Sequence, residues 1–213
     1  KLFPNDTRAK NTLASLYVRL GILAKAEQLV QESLEINSSN EKTWQLQGEL
    51  YLAQGKEELA LANFLKGYQL DPEDPKLLRN LTSLYLSQNN FTEAILYNEK
   101  IIEQSPFDPT ANLIKAWHLK TQAKVTEADA ILSSLSQRIS VIDTSNESFD
   151  GNVNFVQGMA EYMLGNFEVA QNALLKHIEK YTQDVKSIKV LAEIYIRSKK
   201  IDEALKLLES HER

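Results

Sequence analysis

No cysteine occurs among the 213 residues. That one absence excludes disulfides, thiol nucleophiles and thiolate metal sites together. It leaves the compartment open, because a cysteine-free chain tolerates oxidising and reducing surroundings alike. Glycine (7) and proline (5) are scarce, too few for the frequent tight turns of an all-β chain. No stretch approaches the roughly 18 consecutive apolar residues that span a bilayer as a helix. His118, His177 and His211 are scattered and lack metal-ligand spacing. Glycine-rich phosphate loops, nucleophile elbows and paired-carboxylate signatures are also missing. A non-enzyme without metal or cofactor is therefore expected. The remaining composition, 43% hydrophobic and 25% charged, is that of an ordinary globular chain.

What the chain does contain is a period of 34 residues. Residues 7–40, 41–74, 75–108 and 109–142 superpose without a gap, the last of them degenerate. A polar, turn-forming stretch at 143–150 reads as an inserted loop, and the register resumes at 151–184 and 185–213. Position 20 of every unit is alanine: Ala26, Ala60, Ala94, Ala128, Ala170 and Ala204. Position 8 is always small, with Ala14, Gly48, Thr82, Ala116, Gly158 and Ala192. Small residues at position 20 let the two helices of a unit cross closely. Position 11 holds Tyr17, Tyr51, Tyr85 and Tyr195, with Leu119 and Glu161 departing. Position 15 holds Gly21, Gly55, Asn89 and Gly165, where a turn needs the left-handed backbone region. Pro72 and Pro106 end second helices.

This pattern resembles the tetratricopeptide-repeat family along essentially the whole chain. The resemblance implies an all-α, right-handed superhelical solenoid of antiparallel helix pairs, about six repeats long. Residues 1–6 match the tail of a preceding repeat, and no polar capping helix follows Leu205 and Leu208, so a longer parent chain is expected. The uncapped last helix also offers a surface for self-association.

The family's first helices line a concave groove, with positions 2, 5, 9, 12 and 13 pointing into it. At those offsets stand Arg8, Arg19, Lys42, Lys76, Arg79, Lys120, Lys186, Lys189 and Arg197, against only Glu49 and Glu193. Nine bases against two acids make this set +7 in a chain of formal charge −5, so all other positions carry −12. A surface of one sign focuses its field and recruits the opposite sign. The same offsets bring up Leu113, Trp117, Phe155, Met159, Tyr162 and Met163 from repeats four and five. Aromatic and methionine side chains make good anchors, since they bury much area and adapt to shape. The expected partner is an acidic protein or peptide segment with an apolar anchor. Nucleic acid is not expected, because a pI near 5.4 opposes long-range attraction to phosphate.

The family's chaperone-tail clamp is a poor match. Its position-specific Lys, Asn and Arg residues meet Asn11, Ser15, Leu46, Lys76 and Asn80 here, and only Lys76 agrees. Residues 158–167, Gly-Met-Ala-Glu-Tyr-Met-Leu-Gly-Asn-Phe, and 191–195, Leu-Ala-Glu-Ile-Tyr, are similar to a narrower subgroup. These are the TPR lipoproteins that accompany the bacterial PEP-CTERM/exosortase protein-sorting system. That similarity implies a role in protein sorting or exopolysaccharide export, on the periplasmic side of a membrane, with a lipid tether outside this segment. Without it, a cytoplasmic location is the default. Carbohydrate binding is the rival function, with Trp117, Phe155 and Tyr162 stacking on sugar rings.

Overall fold

The computed structural model describes residues 5–141 and 152–211, which are helices, turns and short connections without a strand. The stretch 143–150, read from sequence as a loop, lies outside these residues, as does most of the tail 1–6. The chain divides into two compact units, one ending at Gln104 and the other beginning at Ser105. The first contains α1 (Thr7–Arg19), α2 (Leu23–Ile36), α3 (Glu41–Ala53), α4 (Glu57–Leu70), α5 (Pro75–Ser87) and α6 (Phe91–Gln104). The second contains α7 (Pro109–Thr121), α8 (Val125–Ser140), α9 (Asn152–Leu164), α10 (Phe167–Lys180), α11 (Val185–Arg197) and α12 (Ile201–Glu209).

Helices α1, α3, α5 and α7 begin on side-chain caps. Asp6 accepts from the backbone N–H groups of Arg8 and Ala9, Asn40 from Lys42 and Thr43, and Asp74 from Lys76 and Leu77. Each cap satisfies N–H groups that have no partner within the helix. Pro75 and Pro109 occupy first turns, where a missing N–H costs nothing.

The turn inside every helix pair is the same. The N–H at position 16 reaches back to the carbonyl at position 11: Ile22 to Tyr17, Lys56 to Tyr51, Asn90 to Tyr85, Lys124 to Leu119, Asn166 to Glu161 and Lys200 to Tyr195, at 2.8–3.0 Å. Position 15 bonds to position 12 in all six pairs. These paired bonds close the first helix around a left-handed residue. Gly21, Gly55 and Gly165 supply it without strain, but Asn89, Ala123 and Lys199 adopt it too, at φ of 57°, 61° and 60°. Hydrogen bonding therefore holds the turn even where no glycine marks it.

The position-20 alanines are no more than 2% exposed. One turn beyond Ala60 on α4, Phe64 is fully buried, and a Cβ added to Gly48 of α3 would lie 2.4 Å from its ring. A Cβ on Gly158 would lie 2.6 Å from Leu174 Cγ. Small residues at position 8 thus admit large ones from the second helix. Full burial of a side chain such as Phe64 contributes about 1.5–3 kcal/mol. Glu161, which replaces the position-11 tyrosine, is buried and accepts hydrogen bonds from Asn166 Nδ2 at 2.7 Å and from the Ser136 hydroxyl.

Candidate functional site

First helices of neighbouring repeats touch within each unit, α1 against α3 and α7 against α9. Their free faces carry the positions singled out from sequence. Arg8, Arg19, Lys42, Lys76, Arg79, Lys186, Lys189 and Arg197 are all exposed. Both acids of the set are matched by bases of the set. Glu49 pairs with Lys76 at 2.8 Å, and Glu193 pairs with Arg197 at 2.7 Å. Among the described residues, Arg8, Arg19, Lys42, Lys186 and Lys189 have no carboxylate partner. The face keeps its positive sign in each unit.

Lys120 needs a different account. Its ammonium donates to the carbonyl oxygen of Met163 at 2.6 Å and pairs with Asp129 at 2.8 Å. Met163 lies in the last turn of α9, where carbonyls lack helical partners and a cation is favoured. Lys120 therefore fastens α7 to α8 and α9, and its charge is neutralised. Sequence spacing placed it on the right helix but could not show a carboxylate arriving from α8.

The apolar set is divided. Leu113 is only 7% exposed and forms part of a core with Leu132, Leu135 and Val156, so it offers no surface to a partner. Burial follows from the contact of α7 with α9, which closes over that position. Phe155, Met159 and Met163 are half-buried against this core. Tyr162 packs in a neighbouring group with Phe167, Leu174 and Ile194. Its hydroxyl is tied to the Glu193 carboxylate, and burial followed by that bond raises its pKa. The Glu193 carboxyl is held below its ordinary range by Tyr162 first and Arg197 second. Trp117 is half-buried on α7.

His177 is a buried residue that sequence spacing did not single out. Its ring lies against Phe155 and Tyr181, with centroids 5.4 and 4.8 Å away. Its Nε2 is 3.1 Å from Asp184 Oδ2, to which the Ser187 hydroxyl donates at 2.5 Å. Burial pushes the Asp184 carboxyl up. The Ser187 bond, the His177 charge and the Lys186 N–H outweigh it and hold the group below its usual value. Serine and histidine both address the carboxylate rather than each other, so no nucleophile–base pair is formed. The cluster joins the end of α10 to the start of α11.

A family model described as tetratricopeptide repeat matches residues 51–117. The helix pairs, their repeated turn and the small-residue positions in register among the described residues agree with that match. The helix pairs adopt the tetratricopeptide-repeat fold. A TPR repeat-containing protein of Methanocaldococcus jannaschii is 23% identical over 159 residues, which cover 74% of this chain and 28% of that protein. The chain thus spans under a third of that curated relative. Among solved structures, the Cut9–Hcn1 hetero-tetramer of the APC/C superposes with a TM-score of 0.76 at 14% identity, over 99% of this chain and 40% of that one. YrrB, described as a TPR protein with an unusual peptide-binding site, superposes with a TM-score of 0.56 at 18% identity, over 87% and 91%. Proteins of this repeat fold generally serve as scaffolds for protein–protein contacts.

Proposed function

We propose that this chain is a non-enzymatic scaffold that docks an acidic segment of a partner protein on the faces of its first helices. The observation that carries the reading is the set of exposed cations in each unit, Arg8, Arg19 and Lys42 in the first and Lys186 and Lys189 in the second, on faces whose acids are already matched. Phe155, Met159 and Met163, half-buried and adaptable, are the apolar anchor in the second unit. Trp117 and the Tyr162 ring, half-buried on α7 and α9, are the further aromatic groups of this unit's first helices. The peptide-binding site named for YrrB is a precedent within the fold. A narrower placement, in a bacterial envelope assembly for protein sorting or exopolysaccharide export, rests on residues 158–167 and 191–195 alone.

Panning a random peptide display library on the chain tests this reading. Acidic peptides with an aromatic or aliphatic residue should be recovered, and fewer should survive washing as salt rises. Their recovery should collapse on a Lys186→Glu, Lys189→Glu variant. Failure to recover any acidic peptide would remove the proposal, and binding confined to a glycan array would put carbohydrate in its place.

A further inference from the structure

The second helices carry a different chemistry. Between α2 and α4, floored by α3, the first unit has an open cleft of about 440 Å³, within the about 300–1,000 Å³ typical of ligand sites. Asn63 stands on its α4 wall. At the equivalent position the third repeat has Tyr97, a buried ring that stacks on Tyr85 with centroids 5.7 Å apart. Asn63 is shorter and folds back, donating to the Leu59 carbonyl of its own helix at 2.7 Å.

The walls are acceptors and π-faces. Trp44 and Tyr51 line the cleft from α3, and the Trp44 indole N–H is spent on the Ser38 carbonyl at 2.7 Å, leaving its ring as the presented group. Gln47 Oε1, also in the lining, is buried without a hydrogen-bond partner. A buried acceptor left unmade costs stability, and a ligand donor recovers it. Glu35 adds a carboxylate at the rim. Of the charged groups on α2 and α4, Glu35 and Lys66 are the ones that line the cleft. Lys66 itself shows what the ring takes: its ammonium sits 4.4 Å from the centre of the Trp44 ring.

We propose that this cleft is a second docking site, independent of the first-helix faces, that receives an arginine side chain from a partner protein. A guanidinium stacks on tryptophan or tyrosine, and its five donors reach Glu35 and the Gln47 oxygen together. The alkyl stem lies on Leu34 and Leu59, which also line the cleft. Lys66 is an internal stand-in that the incoming cation displaces. One chain then holds two partner segments of opposite charge, acidic on the first helices and basic on the second.

The test follows the Trp44 indole N–H by nuclear magnetic resonance in the full chain, with Trp117→Phe to assign it. Acetyl-Leu-Arg-Leu amide should produce a saturable shift. The citrulline analogue, equal in shape but uncharged, should bind at least about tenfold more weakly. Glu35→Gln should weaken the arginine peptide severalfold, whereas Lys66→Met should tighten it by removing the competitor. Both are exposed positions, so folding is not at stake. Lys186→Glu with Lys189→Glu, in the other unit, should leave this binding unchanged. Absence of a saturable shift, equal binding of the citrulline peptide, or weaker binding in Lys66→Met would each overturn the proposal.

Discussion

Replacing Ala123 by glycine should stabilise the second unit, although it removes a side chain and adds none. Ala123 sits at φ 61° and is exposed, in the turn that glycine occupies at Gly55 (φ 72°) and Gly165 (φ 85°). Holding a residue with a Cβ in that region costs about 1–2 kcal/mol. Glycine loses about 0.5–1 kcal/mol more backbone entropy on folding. The difference leaves a gain of about 0.5–1 kcal/mol, or about 1–4 °C in melting midpoint for a chain of this size. Lys199→Gly, at φ 60°, should behave alike. The reverse changes supply the control. A Cβ added at Gly21, Gly55 or Gly165 would meet nothing within 4 Å, so any loss in Gly55→Ala reports the backbone, strain less the entropy that alanine saves, and about 0.5–1 kcal/mol is expected. Urea unfolding followed by circular dichroism measures all three variants, with the slope of each transition checked for constancy. If Ala123→Gly destabilises while Gly55→Ala costs nothing, the shared left-handed turn is not a source of strain and the reasoning fails.

Three further outcomes are expected. Gly48→Ala, whose new methyl would enter the Phe64 ring, should cost about 1–3 kcal/mol in urea unfolding through overpacking. Lys120→Met should lower stability by about 1–2 kcal/mol, because it orphans Asp129 and the Met163 carbonyl together, and no loss would mean the clamp is ornamental. Tyr97 is buried between Tyr68 and Tyr85, and burial first, then those two rings, pushes its pKa up to about 12. Because the folded value exceeds the unfolded one of 10.0, its contribution is complete below the unfolded pKa and is lost as pH rises towards 12. Tyr97→Phe should therefore flatten the alkaline loss of stability, measured as the urea midpoint at successive pH values.

The repeat was readable because its marks are steric: alanine at position 20 and a small residue at position 8 recur wherever two helices cross, and the helices open where the period says. The turn was only half readable. Glycine advertises a left-handed residue, whereas Ala123 and Lys199 adopt the same geometry because the bonds from Lys124 to Leu119 and from Lys200 to Tyr195 are worth more than the strain. On the candidate face, the bases found by helical offset are exposed on their helices, Lys120 excepted. Offset cannot see neighbours, which is why Leu113 proved buried and Lys120 engaged. The cleft between α2 and α4 left one trace, the polar Asn63 standing where Leu29, Tyr97, Ile131, Ala173 and Leu207 stand in other repeats. A polar residue at one position of one repeat carries no message until the packing around it is known.

The account depends most on the exposed cations of the first helices acting as a recruiting surface. Fluorescence anisotropy with a labelled Glu-Glu-Leu-Phe-Glu-Glu peptide, on the wild-type chain and on an Arg8→Glu, Lys42→Glu, Lys186→Glu, Lys189→Glu variant of unchanged helicity, addresses it directly. The account predicts affinity at least about tenfold weaker in the variant, from exposed pairs worth up to about 1 kcal/mol each, and a wild-type affinity that declines steadily with salt. Equal binding by both proteins, or a wild-type affinity indifferent to salt, would contradict it.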